Sequence, residues 1–317
     1  RVSKFIRLPL SLGLLRAGTL TAMVRGVTLL QLTPVEELNA FRAFSAEANP
    51  LLLDERQRLF FLYCLLQEDG DMVRPLYAHL LDLNGDFSDR EAGDVLPVLF
   101  RELAKQTPPD LLKAEERERA RQLVRAAESI ERWKDKSYTG ESVRERAVTA
   151  RLEPWVDVGL VDKPGRYAYR YSLTDPCRRF FERLRDSGSV EDFVMNRMFS
   201  AWNETTGAGA IPEEGSAIIR AAVSAFDELK SPLKFAPILE TLLLAAIRTF
   251  ADRRRYFELG QAASLLRALQ KQEPHWLSFN IDRRGNLKYL RFESNEVPPS
   301  VGAGEGGNLA TSNGQGG

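Results

Sequence analysis

The chain has 317 residues, and its 44 lysines and arginines balance 44 aspartates and glutamates, so the formal net charge is zero. With 44% hydrophobic and 28% charged residues, this composition excludes a disordered polyelectrolyte, a collagen-like fibre and a disulfide-stapled miniprotein. The length predicts roughly two domains. The two cysteines, Cys64 and Cys177, lie far apart in the sequence. This usage favours a reducing, cytoplasmic location.

Charge is distributed unevenly along the chain. Residues 1–32 hold five basic and no acidic residues, whereas residues 33–102 hold six basic and fourteen acidic ones. Residues 248–291 are basic again, with ten basic and four acidic residues. Local patches, rather than the net charge, attract a polyanion to a surface. A neutral total therefore leaves room for a local nucleic-acid-binding face.

The apolar stretch 5–30 contains Arg7, Arg16 and Arg25, which would be costly inside a membrane. We expect a folded segment that does not enter a membrane. A contacting arm and a targeting segment stay open as alternatives.

Residues 1–106 are predicted to form an acidic, mostly helical module. The second of its helices is apolar on much of its circumference, so it is expected at the centre of a bundle, ending at Asp69-Gly70-Asp71. Capping boxes begin the first and the last helix. The predicted helices are Pro34–Ala46, Leu51–Leu66, Met72–Leu81 and Ser88–Lys105. Because an acidic surface repels DNA, we expect this module to contact partner proteins.

The central segment follows a hinge at Thr107-Pro108-Pro109. A long amphipathic helix is predicted over Leu111–Lys134. A further helix then ends at Val158-Gly159-Leu160. It is followed by a two-stranded element that turns at Lys163-Pro164-Gly165-Arg166, and by a helix that begins after Leu173-Thr174-Asp175-Pro176.

This order resembles a winged helix-turn-helix DNA-binding domain over about residues 111–185. In that family a recognition helix precedes an apolar helix end, a hairpin wing and a closing helix. The resemblance implies a central winged-helix domain in a mainly α protein. It also implies contact with double-stranded DNA through the recognition helix and the wing. Many winged-helix domains serve as protein-interaction modules instead, and that alternative stays open.

Helical geometry separates two faces of the candidate recognition helix. Val148, Leu152, Trp155 and Gly159 point one way and are expected to face the core. The opposite face is expected to enter a major groove. The predicted DNA-contacting residues are Arg146 and Thr149 on this face, with Arg144 and Arg151 flanking it.

The wing is expected to contact phosphates through Arg166 and Arg170. Tyr167, Tyr169 and Tyr171 share one strand face, and the plain alternative is that they pack on the helices.

Residues 186–293 are predicted to form a helical C-terminal domain that ends in a basic β-hairpin over Trp276–Phe292. Its predicted helices are Val190–Asn203, Glu213–Leu229, Leu233–Phe250 and Arg253–Gln272. The last of them begins with Arg253, Arg254 and Arg255.

In the hairpin, Arg283, Arg284 and Lys288 are candidate phosphate contacts, since a guanidinium fork matches two phosphate oxygens. A solvated charged turn is the alternative. Residues 294–317 contain seven glycines and are predicted to be a disordered tail.

No catalytic constellation emerges from the sequence. The two histidines, His79 and His275, have no Cys or His at metal-ligand spacing, and no phosphate-binding glycine loop is present. We therefore predict no enzyme activity, no cofactor and no metal site.

The expected molecule is a mainly α, bacterial, cytoplasmic subunit of a protein complex that binds double-stranded DNA, in genome maintenance or antiviral (phage) defence. The first alternative is a non-catalytic scaffold subunit whose winged helix contacts protein, and homo-oligomerisation is open in both cases. The second alternative is a nuclease or another enzyme.

Overall fold

A computed structural model of the chain describes residues 12–16, 21–33, 53–83, 86–105, 114–134, 148–165, 169–281, 287–294 and 296–298. These residues are mainly helical, as the sequence predicts, and they form eleven α-helices. The first six are α1 (Val24–Leu32), α2 (Glu55–Asp82), α3 (Asp89–Lys105), α4 (Ala114–Lys134), α5 (Glu153–Val158) and α6 (Asp175–Asp186). The others are α7 (Val190–Asn196), α8 (Met198–Thr206), α9 (Gly215–Leu229), α10 (Ile238–Arg253) and α11 (Leu259–Gln272).

In these same ranges, seven short strands form three small sheets. They are β1 (Asp86–Ser88), β2 (Arg170–Ser172), β3 (Ile211–Pro212), β4 (Ala236–Pro237), β5 (Arg255–Tyr256), β6 (Leu277–Ile281) and β7 (Leu287–Phe292). Strands β1 and β2 pair antiparallel, β3 and β5 pair parallel, and the third sheet has the order β4-β7-β6. The antiparallel β6–β7 pair confirms the predicted C-terminal hairpin.

Helix α2 is the central element of the fold. It packs against α1, α3, α5, α6, α7 and α10. The predicted break at Asp69-Gly70-Asp71 is wrong, because one helix of 28 residues runs through it. Gly70 serves close packing instead: a Cβ atom there would lie 2.4 Å from Cγ1 of Val190 on α7. The glycine therefore lets a neighbouring helix approach, at the cost of some helix propensity.

Helix α3 begins at the predicted capping box. The Ser88 backbone N–H and hydroxyl donate to Glu91 Oε2 at 2.6 and 2.8 Å, and the Glu91 N–H donates to Ser88 Oγ at 3.2 Å. This reciprocal pattern satisfies donors that the first helical turn leaves free. The helix reaches Lys105, so its predicted extent is confirmed.

Helix α4, whose amphipathic pattern predicts one buried face, packs along α3. Ala127 and Ile130 are fully buried on the packed face. On the outer surface, Arg101 of α3 forms an ion pair with Glu131 of α4.

The helices after α6 differ from the predicted ones in their bounds. The segment predicted as one helix over Val190–Asn203 is broken at Arg197 into α7 and α8. The Glu258 carboxylate caps the start of α8, because it accepts the Phe199 and Ser200 N–H groups at 3.1 and 2.8 Å. Such capping satisfies the free N–H groups of a helix start. It therefore stabilises a helix break that the sequence pattern does not predict.

Two ion pairs join the start of α2 to the end of α10. Arg56 Nη2 lies 2.7 Å from Asp252 Oδ1, and Arg254 Nη1 lies 2.7 Å from Glu55 Oε2. The buried apolar side chains from Leu12 to Phe292 form one cluster. The boundaries between the predicted N-terminal, central and C-terminal domains stay predictions.

Some predictions fall outside the described part of the chain. The predicted helix Pro34–Ala46 and residues 299–317 of the predicted tail lie there. At the start of the tail, the Trp276 indole N–H donates to the Glu296 carbonyl at 2.9 Å. Within the described ranges, no helix combines the length and apolar character needed to cross a membrane.

Candidate nucleic-acid interface

The candidate recognition segment is a short 3-10 turn, Thr149–Arg151, followed directly by α5. Val148, Leu152 and Trp155 are fully buried, which confirms the predicted core face, whereas Gly159 is exposed. Trp155 packs edge-on against Phe181, with ring centroids 5.4 Å apart. This face is therefore anchored in the core.

The helix ends at Gly159, which adopts a left-handed φ of +87°. A side chain would be strained there, so glycine fits this helix end. The next two residues, Leu160 and Val161, are buried, and their N–H groups donate to the Trp155 carbonyl at 2.9 and 3.2 Å. The predicted Gly-stopped apolar helix end is therefore present.

Arg151 lies inside the fold rather than on an open reading face. Its Nε is 2.8 Å from Asp69 Oδ2 on α2, and its guanidinium carbon lies 4.8 Å from the centroid of the Phe100 ring on α3. Its side chain is only 20% exposed. The charge of Arg151 thus joins α2 and α3 to the candidate segment. Thr149 is half-buried beside it.

The wing prediction corresponds to a strand that is hydrogen-bonded on both sides. On one side, Asp162 and Ser172 exchange backbone hydrogen bonds of 2.8 and 2.9 Å. On the other side, β2 pairs with β1 in the register Phe87↔Tyr171 and Ser88↔Arg170. Strand β1 is not predicted from the sequence, because three residues are too few to show an alternating pattern. The signal is the single apolar Phe87, which stacks on Tyr171 at 5.7 Å.

Arg170 is exposed on this strand and forms no ion pair with any described residue. Its positive charge acts on Glu91, the capping residue of α3. The pKa of the Glu91 carboxyl is lowered first by the Ser88 N–H, then by the Ser88 hydroxyl and, more weakly, by Arg170. Arg170 therefore combines a fixed backbone with a solvent-exposed guanidinium.

The tyrosines and Lys163 behave differently from Arg170. Tyr171 is 1% exposed and its hydroxyl donates to Glu153 Oε1 at 2.7 Å, whereas Tyr169 is 45% exposed. Lys163 Nζ lies 2.6 Å from the same Glu153 oxygen. The packing alternative therefore holds for Tyr171 and not for Tyr169, and Tyr167 lies outside the described residues.

Burial and the Glu153 charge raise the pKa of the neighbouring Asp157 carboxyl. The acidic side chains Glu153 and Asp157 thus offset part of the positive charge of this segment.

The C-terminal hairpin carries the second candidate contact. Lys288 is exposed near the start of β7, and Tyr289 in the same strand is 43% exposed. Arg291 forms an ion pair with Glu293 at 2.7 Å. Five of the predicted contact residues fall outside the described part of the chain: Arg144, Arg146, Arg166, Arg283 and Arg284.

Arg253, Arg254 and Arg255 do not begin a helix, contrary to the sequence prediction. Arg253 ends α10, Arg254 is left-handed with φ +55°, and Arg255 starts β5. Arg254 pairs with Glu55 and Arg255 pairs with Glu213. The three arginines thus have separate roles.

The structure does not bring Arg170 and Lys288 into one sheet, since β2 and β7 belong to different sheets.

The two cysteines, Cys64 and Cys177, are both buried with free thiols. Burial raises the pKa of the Cys64 thiol to about 12, and burial also raises that of Cys177. Both thiols are therefore protonated at neutral pH, the less reactive form. Within the described ranges, no group of three or more His, Cys, Asp or Glu side chains could hold a metal ion.

No protein-family model matches the chain, and neither a curated protein nor a solved structure matches it.

Proposed function

We propose that this chain is a winged-helix subunit that binds double-stranded DNA and acts together with partner proteins. The observation that carries the proposal is Arg170: an exposed guanidinium, without an ion pair among the described residues, on a strand that is fixed from both sides. A guanidinium held this way can contact a phosphate with little loss of backbone freedom.

The proposed contact set extends to neighbouring cations in the sequence. Arg166 lies four residues before Arg170, and Arg144 and Arg146 precede the 3-10 turn. Thr149 stays in the set as a half-buried neighbour. Arg151 enters the proposal with a different role, because its pairing with Asp69 makes it a support of the segment. Arg283, Arg284 and Lys288 of the hairpin form a second proposed phosphate contact.

The scaffold alternative has an observation in its favour. Of the three cations that the structure describes between residues 148 and 172, Arg151 and Lys163 pair with acids of this same chain. Two paired cations weaken the attraction for a polyanion. A protein-docking winged helix needs no such attraction, so it is the second candidate function.

The test is fluorescence anisotropy of a labelled DNA duplex at low salt, with the full chain. We expect Arg170→Ala, and separately the double variant Arg144→Ala with Arg146→Ala, to weaken binding several-fold. The matched control is Arg179→Ala, which removes an exposed arginine of α6. If the wild-type chain shows no duplex binding, the scaffold function replaces the proposal. Loss of binding only in Arg283→Ala with Arg284→Ala would move the site to the hairpin.

The partner is proposed to contact the acidic N-terminal module. Removing residues 1–105 would also remove α2, around which the other helices pack, so surface substitutions are the better test. Asp82 and Glu102 are exposed, and they form no ion pair with another described residue. Changing both to lysine should weaken association with a purified partner while the far-ultraviolet circular dichroism spectrum stays that of the wild type. Unchanged association would contradict the assignment of the partner to this module.

A further inference from the structure

A cavity of about 220 Å³ lies between α9 and α10. Arginine, threonine and serine side chains surround it, and three alanines complete the lining. The polar residues that matter are Arg220, Ser224, Arg248, Thr249, Asp252 and Arg253. Small alanine side chains leave space between two packed helices that larger residues would fill. The space is several times the roughly 30 Å³ that one water molecule occupies in the liquid.

Two of the three arginines have their charge available. Arg220 and Arg253 are exposed and form no ion pair with any residue that the structure describes. Among the described residues, Arg220 makes one side-chain hydrogen bond, of 3.3 Å, to Ser216 Oγ within its own helix. The cavity therefore carries positive charge that no described acid offsets.

The remaining charged groups around the cavity are already paired. Arg248 donates to Glu228 Oε2 at 2.8 Å and to the Gln31 carbonyl at 3.0 Å. Asp252, the one acid among the described lining residues, accepts from Arg56 at 2.7 Å. Each ion pair fixes the positions of its two side chains, and the opposite charges within each pair nearly cancel. The excess positive charge of the cavity comes from Arg220 and Arg253.

The side chain of a buried threonine also lines the cavity. Thr249 is 3% exposed, and its side chain makes no hydrogen bond within the described ranges. A hydroxyl that lines a cavity and has no described protein partner is available to donate to a bound ligand or a water. Ser224 adds a second hydroxyl at the exposed side.

We infer that this cavity binds a phosphate group through Arg220 and Arg253, with the Thr249 hydroxyl donating to one of its oxygens. Guanidinium and hydroxyl groups are both donors, and a phosphate offers several acceptor oxygens around one centre. The inference does not rest on the winged-helix assignment. The phosphate belongs either to a free phosphate compound or to a nucleic-acid backbone, and the experiment separates these sources.

The first arm titrates the full chain with inorganic phosphate by calorimetry, against chloride at equal ionic strength. We expect Arg220→Ala and Arg253→Ala each to lower the affinity roughly tenfold, the loss expected for one charge-assisted hydrogen bond. Thr249→Val should lower it about threefold. Arg220→Lys keeps the positive charge but loses the planar guanidinium that matches two oxygens. Its affinity for phosphate should therefore lie between those of Arg220→Ala and the wild type.

The control is again Arg179→Ala, which should bind phosphate like the wild type. Circular dichroism establishes whether each variant is folded. If an arginine variant is not folded, Thr249→Val tests the phosphate site in its place. Phosphate binding that is unchanged in Arg220→Ala and Arg253→Ala would overturn the inference. So would a wild-type chain that neither binds phosphate nor gains thermal stability from it.

The second arm repeats the duplex titration with Arg220→Ala and Arg253→Ala. If duplex binding weakens together with phosphate binding, the site takes a backbone phosphate. If only phosphate binding weakens, the site takes a free phosphate compound. A wild-type chain that binds phosphate but no duplex would refute the proposed function and leave the phosphate site standing.

Discussion

Two groups of arginines in this molecule have opposite surroundings. Arg151, in the candidate recognition segment, is paired with Asp69 and covered by Phe100. Arg220 and Arg253, beside the cavity between α9 and α10, form no ion pair with described residues. The helical pattern of the sequence predicts Arg151 as a ligand contact, whereas the structure favours Arg220 and Arg253. Whether an arginine is available depends on acids that distant parts of the chain bring to it.

The largest expected effect is on stability, from Arg151→Ala. We expect the free energy of unfolding to fall by about 2 kcal/mol, because Asp69 would lose its ion pair with Arg151 and Phe100 its covering guanidinium. Urea denaturation followed by circular dichroism measures it. The matched variants Arg220→Ala and Arg253→Ala should stay within about 0.5 kcal/mol of the wild type. Equal losses in all three variants would remove the contrast between the two groups.

Glu258→Ala tests whether an acidic side chain in the C-terminal part stabilises the fold by capping a helix. We expect a loss of about 1 to 2 kcal/mol, because two N–H groups at the start of α8 would lose their acceptor. Glu258→Gln keeps one acceptor oxygen and should lose less. Thermal unfolding ranks the variants, and an unchanged midpoint for Glu258→Ala would show that the cap contributes nothing.

The same residue gives a pH dependence with a defined sign. Burial raises the pKa of the Glu258 carboxyl, so between its ordinary and its raised pKa the folded state holds more protons than the unfolded state. Stability linked to Glu258 should therefore fall as pH rises through that range. Glu258→Gln should lack this slope in unfolding experiments across the range. A slope of equal size in Glu258→Gln would assign it to other groups.

Ser88→Ala should have a smaller effect at the edge of the candidate interface. Losing the hydroxyl of the capping box is expected to cost about 1 kcal/mol at neutral pH. Because the pKa of the Glu91 carboxyl is lowered in the folded state, this cost should shrink as pH falls through that lowered pKa. Denaturation at neutral and at acidic pH measures the change. A cost that is independent of pH would mean that the ionised Glu91 is not the partner of the hydroxyl.

Tyr77→Phe should have the smallest effect and the opposite direction. The Tyr77 hydroxyl is fully buried and has no hydrogen-bond partner among the described residues, while the ring stacks on Phe181 at 4.0 Å. Removing only the hydroxyl should raise the free energy of unfolding by up to about 1 kcal/mol. The control is Tyr171→Phe, which removes a hydroxyl bonded to Glu153 and should be destabilising. Destabilisation by Tyr77→Phe would reveal a missed partner.

Local patterns in the sequence predicted the parts of the fold that depend on neighbours in the chain. The capping box Ser88–Glu91, the buried face with Leu152 and Trp155, and the C-terminal hairpin are of this kind. Local patterns do not predict the role of Gly70 or the strand β1, because each depends on a contact with a residue far along the chain. Arg151 and Asp69 are separated by 82 positions, so no local spacing could pair them. The same holds for Arg220 and Arg253, whose significance comes from the packing of α9 against α10.

The most direct test of the central claim is the affinity of the wild-type chain for a DNA duplex over a series of salt concentrations. If exposed arginines contact phosphates, the logarithm of the association constant should fall linearly with the logarithm of salt concentration. Arg170→Ala should make that slope shallower by roughly 0.9 for the lost phosphate contact, whereas Arg179→Ala should leave it unchanged. Absence of duplex binding at low salt, or a slope that Arg170→Ala does not change, would contradict the account.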